Sequence, residues 1–471
     1  MNPKRLSRRS FIQWSALFVG AGTLAACAPQ ATEAPKATGQ PAEAPTQKPA
    51  GTTAQEATPA PKEITVRWMS AWGTNFTKPV EELLKTPEWK EICAGITFDY
   101  NAASDNERIL VAIASGDPPD GISCLSDYSG FMVRGVLRPL GEMLDSSTRV
   151  HRDDLVEAAL PPMTWKGELY GLPAIEYFCR FGLNYNKQLV EAAGLDPKSP
   201  PRTWGEHLAW AEKLTKKDKG GNLLQVGFDP FDGMGSTMMH PELSWGFEFL
   251  DRKTRKLKIN RPEMVEYLKL CTQFYDLAGP DNLATFHSAN GSWIQSYASG
   301  LTATLVNGGW HPGELANANP ETSKQNISTW IPMSDTRRDV KVQCYYGNYI
   351  CIPLHARQPE GMWRVAEALM TDASADLFFK FDGWMCPRKS WLAKVDASIY
   401  PGLPWYVDSI SQADELRPWE WNPIETFMRS KFDTLKEQVV RKEITPEQCL
   451  EETERLTQEE FDKQFADLPL E

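Results

Sequence analysis

Apolar residues along this chain follow two periods, interrupted by one long stretch that has neither. Ile64-Thr65-Val66-Arg67-Trp68-Met69 alternates as a half-buried strand does. Asn106 to Ala114 carries Ile109, Leu110 and Ile113 at helical spacing, then meets Ser115-Gly116-Asp117-Pro118-Pro119, which stops a helix. Gly121 to Leu125 reads as a short strand. Thr203-Trp204-Gly205-Glu206 predicts a capping box, with Thr203 capping the first turn and Glu206 reaching back, on a helix continuing through Leu208, Ala211 and Leu214. Amphipathic helices are also predicted over Glu360 to Met370 and Ile424 to Val440. Strand-like runs alternating with such helices predict α/β layers. No internal repeat is visible, which argues against a solenoid or propeller.

The interruption is Ala28 to Ala60, which has no aromatic residue and no Leu, Ile or Val. Such a stretch cannot bury enough apolar surface to offset its ordering entropy, so a disordered linker is expected over 27–60. Pro61 to Glu471 spans 411 residues, more than a single core usually holds, so two domains are expected. Residues 1–26 combine a basic start, an apolar run from Trp14 to Ala26 and small residues at its end, the make-up of an export signal. No later segment approaches the roughly 20 apolar residues that span a bilayer. Loss of Lys4, Arg5, Arg8 and Arg9 with that signal would take the formal charge from -12 to -16. An acidic body of this kind disfavours nucleic acid as a partner and disfavours charge-driven attachment to anionic lipid.

Particular motifs add resemblances. Ser7-Arg8-Arg9-Ser10-Phe11-Ile12 resembles a twin-arginine export signal, with Arg8 and Arg9 as the pair. Leu24-Ala25-Ala26-Cys27 resembles a lipobox, which implies lipidation at Cys27 and a tethered protein at the outer face of the plasma membrane. In the body, ERILVAIASGDPPDGI, VRGVLRPL, GELYGLPAIEYFCRFGLNYNKQLVEAAGL and PPRTWGEHLAWAEKLT occur in that order, followed by SYASGLTATLVNGGW and NYICIPLHARQPEGMWRVAEALM. Together they resemble the extracellular solute-binding proteins of the carbohydrate class, receptors for ABC importers that include maltose-binding protein. One departure is Tyr345-Tyr346-Gly347-Asn348-Tyr349, where the family often has a Gly-rich approach to its Ile-Pro element. The resemblance implies a periplasmic-binding-protein-like fold of two α/β lobes (type II). Lobe one would hold 61–174 and 350–395, lobe two 175–349 and 396–471, with hinges near Leu172–Glu176 and Gly347–Ile352.

A sugar presents flat C–H faces and a rim of hydroxyls, so its site needs aromatic rings and a few convergent polar groups. Seventeen Trp, 13 Tyr and 20 Phe supply rings in excess, though most rings in any protein are core. Trp310 follows a strand and a glycine pair, and Trp72 lies in the loop after the first strand. The resemblance implies ligand contact at Trp310, and at Asp127 and Tyr128 after the strand near Cys124. It implies the same at Glu176 and Tyr177 on the hinge, and at one of Trp419 and Trp421. Trp384 and His311, the latter a hydrogen-bond donor beside Trp310, complete the candidates.

Beyond Cys27, the eight cysteines at 93, 124, 179, 271, 344, 351, 386 and 449 leave disulfides, buried thiols or a metal site at Cys344, Cys351, His355 and Cys386 all open. No Gly-x-Ser-x-Gly, His-Glu-x-x-His or phosphate loop is present, so a catalyst is not expected and no cofactor is implied. The expectation is a monomeric, lipid-anchored receptor that passes a sugar or oligosaccharide to an ABC permease. A glycerol-phosphate ester is the alternative cargo, with Arg180, Arg337 and Arg338 as its cations. A sensory or adhesion module binding a glycan is the alternative outside transport.

Overall fold

Three sheets of three strands organise the molecule, and the third joins the first two. The structure is a computed structural model that describes residues 63–467, apart from 124, 126, 231–238, 292 and 420, together with Leu470. The export signal with Arg8 and Arg9, the linker, Cys27 and Cys124 lie outside the described residues. The strands of these sheets are β1 (Ile64–Ser70), β2 (Ile96–Asn101), β3 (Gly121–Ser123), β4 (Leu172–Cys179) and β5 (Gly182–Asn186), then β6 (Thr304–Asn307), β7 (Asn326–Thr329), β8 (Val342–Ile350) and β9 (Glu415–Pro418). The helices that matter for the site are α1 (Thr74–Leu83), α2 (Asn106–Ala114), α3 (Trp204–Leu214), α4 (His311–Ala318), α5 (Asp372–Asp382) and α6 (Glu425–Val440).

The first sheet runs β2-β1-β3, all parallel, with Ile64 opposite Ile96 and Trp68 opposite Gly121. Alternation in β1 places Val66, Trp68 and Ser70 inside, as its pattern predicts. In α2 the cap is Asp105, whose side chain accepts from Arg108 N–H and satisfies one orphan donor of the first turn. The second sheet runs β6-β7 on either side of β5, both antiparallel to it, and every β5 residue is buried. A strand covered on both faces reads as a continuous run rather than an alternating one.

Strands β4 and β8 pair antiparallel in the third sheet, while β9 runs parallel to β8. Each of the two long strands leaves one core and enters the other. Val342 and Cys344 belong to the second core, whereas Tyr346, Tyr349 and Ile350 belong to the first. Leu172, Ala174 and Ile175 pack in the first core, and Phe181, just beyond β4, packs in the second. The pairing register shifts between Asn348 and Tyr349, opposite Ile175, which has a φ of +30°. A bulge with a β-branched residue at positive φ is a strained bend, and it lies where the chain crosses between lobes. The result is a two-lobed α/β fold.

Two details differ from the sequence reading. Thr203 does cap α3 by accepting from Glu206 N–H, but the Glu206 carboxylate accepts from Arg202 N–H rather than from Thr203, so the box is not closed. The segment around Tyr400–Tyr406 contributes Tyr400, Leu403 and Tyr406 to the first core, while the Tyr406 hydroxyl bonds Asn184 and the Asn307 carbonyl in the second sheet. That stretch works as a second strap between the lobes. The seven described cysteines are buried free thiols, so packing accounts for them and no bridge forms among them. Burial pushes the Cys93, Cys179 and Cys386 thiols up to about 12, well away from reactivity.

Candidate functional site

Element ends from both lobes converge on a cavity of about 260 Å³. Trp72 follows β1, Leu125 lies beyond β3, and Glu176 and Arg180 come from β4 and the residue after it. Trp310 and Glu314 stand at the head of α4, Tyr346 and Asn348 on β8, Trp384 after α5, Trp419 after β9 and Arg429 in α6.

The lobe-one rings are held from behind. Trp72 stacks on Phe76 at 5.0 Å and Trp384 on Phe378 at 5.6 Å, and the two indoles meet at 5.7 Å. Offset contacts of this kind fix ring planes at little entropic cost. Trp310 is set differently, by its own backbone. A Cβ at Gly308 would fall 1.8 Å from the Trp310 ring, so only glycine lets the indole fold over that turn.

Arg180 sits among three rings, its guanidinium carbon 5.1 Å from the Trp310 centroid, 5.0 Å from Tyr346 and 4.5 Å from Trp419. These are cation–π distances. Glu176 is buried and accepts from the Asn348 amide, its partner across the β4–β8 register. The Trp72 indole N–H faces the same carboxyl without reaching hydrogen-bond geometry. Burial pushes Glu176 up to about 8, against the pull of Asn348 and Arg180. Glu314 accepts from Asn75 at 2.5 Å, and burial, then Asp382 and Glu176, raise it well above the usual carboxylate range. Because burial favours their protonated forms, these two acids can donate as well as accept, which suits hydroxyl groups. The Trp384 indole N–H, the Asn348 side-chain carbonyl and Arg180 Nε–H are buried without a hydrogen-bond partner. Buried polar atoms are nearly always paired, so these three and the Trp72 indole N–H, four orphans in one lining, mark a candidate ligand site.

Of the ten residues singled out in the sequence, Trp72, Glu176, Trp310, Trp384 and Trp419 line this cavity. Asp127 and Tyr128 do not. Asp127 caps the helix Tyr128–Val133 through Gly130 N–H and faces Arg134 at 3.8 Å, and the Tyr128 hydroxyl accepts from Tyr349 N–H at 3.0 Å. A strand end placed them near the cleft, but local capping took the Asp127 carboxylate and the distant Tyr349 backbone took the Tyr128 hydroxyl. His311 is buried against Tyr297 at 5.1 Å, and burial lowers its pKa to about 3, which leaves it a neutral core side chain behind Trp310. Trp421 turns away, with Arg252 4.9 Å above its ring. Tyr177 pairs with Gly347 along the backbone, and its side chain lies outside the described part. Arg337 and Arg338 lie outside the lining and pair with Glu415 and Glu206. Asn75, Glu314, Tyr346, Asn348 and Arg429 were not anticipated. Glu314 alone had a signal, since it stands four residues from Trp310 on one helical face.

The lobes touch beside the cavity. Asn317 donates to the Phe381 carbonyl, and a Cβ at Gly313 would fall 2.4 Å from Gly383 Cα, so α4 meets the end of α5 main chain to main chain. Among the described residues no cluster of three or more His, Cys, Asp or Glu could hold a metal, and no helix is long and apolar enough to cross a membrane.

No curated protein matches the chain. Solved structures share its fold: CpMnBP1 with mannotriose bound is 22% identical with a TM-score of 0.73, over 84% of this chain and 100% of that one. An ABC transporter solute-binding protein from Thermotoga lettingae TMO bound with α-D-tagatose is 21% identical with a TM-score of 0.69, over 85% and 100%. The maltose/maltodextrin-binding domain MalE from Bdellovibrio bacteriovorus bound to maltotriose is 16% identical with a TM-score of 0.67, over 85% and 100%. Residues 92–404, well over half of the chain, match the family model for bacterial extracellular solute-binding proteins, and the chain belongs to that family.

Proposed function

We propose that this protein is the substrate receptor of an ABC importer, a binding protein rather than a catalyst, and that its cargo is a sugar or short oligosaccharide. One observation carries the reading: aromatic rings from both lobes and two carboxyls, Glu176 and Glu314, meet around a single cavity with orphaned hydrogen-bonding atoms. At about 260 Å³ the space lies just under the roughly 300–1,000 Å³ of drug-sized sites, which suits one or two sugar rings. Ligand bridging Trp72 and Trp384 on one side and Trp310 and Trp419 on the other would favour the closed state by its differential affinity for it. The closed form would dock on the permease. The N-terminal motifs support export and a lipid anchor at Cys27, holding the body outside the membrane.

Thermal-shift measurements across mono- and oligosaccharides test this, because a ligand of the native state raises the melting temperature by mass action. A shift with one saccharide class that disappears in Trp310→Ala is the expected result. No shift with any saccharide at millimolar concentration sinks the reading and favours a partner-binding module.

A further inference from the structure

We infer that the cargo is an acidic saccharide whose carboxylate is gripped by Arg180. The inference rests on the carbohydrate reading above and narrows it. Arg180 leaves β4 and enters the cavity, where Trp310, Tyr346 and Trp419 cover its guanidinium from three separate segments. The lobe-two rings that would stack on a neutral sugar are thus partly occupied in orienting a cation. Among the described residues no carboxylate lies within ion-pair distance of that cation, and its Nε–H is buried without a partner. Arg337, Arg338 and Arg417, also in lobe two, each have an acid within 4 Å.

Nearby acids do not discharge it. Glu176 is engaged with Asn348, and Glu425 is buried with neither carboxyl oxygen hydrogen-bonded. Burial raises the pKa of both, so neither ionises as readily as a free carboxylate in answer to Arg180. Arg429 adds a second cation to the lining. A half-buried guanidinium without an acid is costly unless something arrives to pair with it. Its planar edge of N–H donors fits a carboxylate in a bidentate pair. A phosphate dianion would bring a second charge beside Glu176 and Glu314 and oppose any ionisation there, whereas a single carboxylate leaves the acids free for ring hydroxyls. The saccharide class is therefore a uronate or a short chain ending in one.

Calorimetry on the full-length protein tests this with D-glucuronate, D-galacturonate and digalacturonate. They are compared with glucose, galactose and cellobiose, and with glucose 6-phosphate and glycerol 3-phosphate. Uronates should bind about 10- to 100-fold tighter than their neutral counterparts, the range of a charge-assisted hydrogen bond. Arg180→Gln should erase that preference. Arg180→Lys, which keeps the charge but loses the fork, should retain part of it, and the melting temperature of each variant without ligand checks that it is folded. Neutral sugars binding as tightly as uronates would overturn the inference and leave the carbohydrate reading intact. Phosphate esters binding in place of uronates would overturn the carboxylate. If no compound binds, the carbohydrate reading falls and takes the inference with it.

Discussion

The interlobe cleft and a second cavity behind α3 use charge in opposite ways. The second cavity is larger, about 730 Å³, and is lined by α3 together with segments near residues 195–202 and 329–341. It too holds arginines and tryptophans, with lysines besides. Its arginines, however, are satisfied within the protein: Arg202 pairs with Asp339, and Arg338 with the partly buried Glu206, the other three being exposed. Lys341 lies 5.8 Å from the Trp330 ring. In the smaller cleft Arg180 has rings around it and, among the described residues, no acid within ion-pair distance. Volume alone would choose the second cavity, and the proposed function rests on the first. Exposed pairs are worth little and ask for nothing, whereas a sheltered cation without an anion is a request for a ligand.

The largest test of this contrast is a pair of tryptophan deletions. Trp310→Ala should weaken saccharide binding by roughly 30-fold or more, as loss of a buried aromatic anchor does. Trp330→Ala in the second cavity should leave affinity within about twofold by calorimetry, and equal losses would erase the distinction. Next comes Gly308→Ala, which removes no contacting group but drives a methyl into the Trp310 ring. Overpacking of about 1–3 kcal/mol would shift that ring, and a roughly tenfold loss of affinity is expected. An unchanged affinity would mean that ring position does not matter.

Acidity offers a subtler separation. Glu176, raised to about 8, binds more protons in the native than in the unfolded state. Its stabilising contribution is complete below its unfolded value near 4.5 and is lost as pH climbs toward 8. Burial also pushes Glu206 upward, but Arg202 N–H and the Arg338 guanidinium outweigh it and hold that carboxylate low. Its contribution is present above the unfolded value and lost as pH falls. Melting temperatures from pH 4 to 9 should therefore lose part of their alkaline decline in Glu176→Gln and part of their acid decline in Glu206→Gln. Identical profiles in the two variants would contradict the assignment. Smallest of all, Arg338→Ala should cost under about 1 kcal/mol of stability by denaturant titration and leave ligand affinity unchanged.

Local pattern made some of this legible. The alternation in β1, the helix at Asn106–Ala114 and the strand–glycine–tryptophan–helix run ending in Trp310 all follow from neighbours in sequence. Trp419 and Trp421 could not be separated, because which ring enters the cleft depends on how the chain leaves β9 beside β8. Arg180 was visible only as a cation; its lack of an acid is a property of the folded cavity. Asn348 acquires its role from the register that sets it opposite Glu176, a pairing between residues far apart in the chain. Asp127 and Tyr128 show the converse. Their placement after a strand was right, and capping of the next helix claimed the acid.

The meeting of Gly313 with Gly383 bears on what could be built from this scaffold. Main chain abuts main chain there, and the Asn317 amide rests on the Phe381 carbonyl, so part of the seam between the lobes lies outside the side chains that line the cavity. The Asn75–Glu314 bond belongs to both the seam and the lining. A sensor engineer could recut the lining around Arg180 for a new analyte and keep the same stroke for the optical readout.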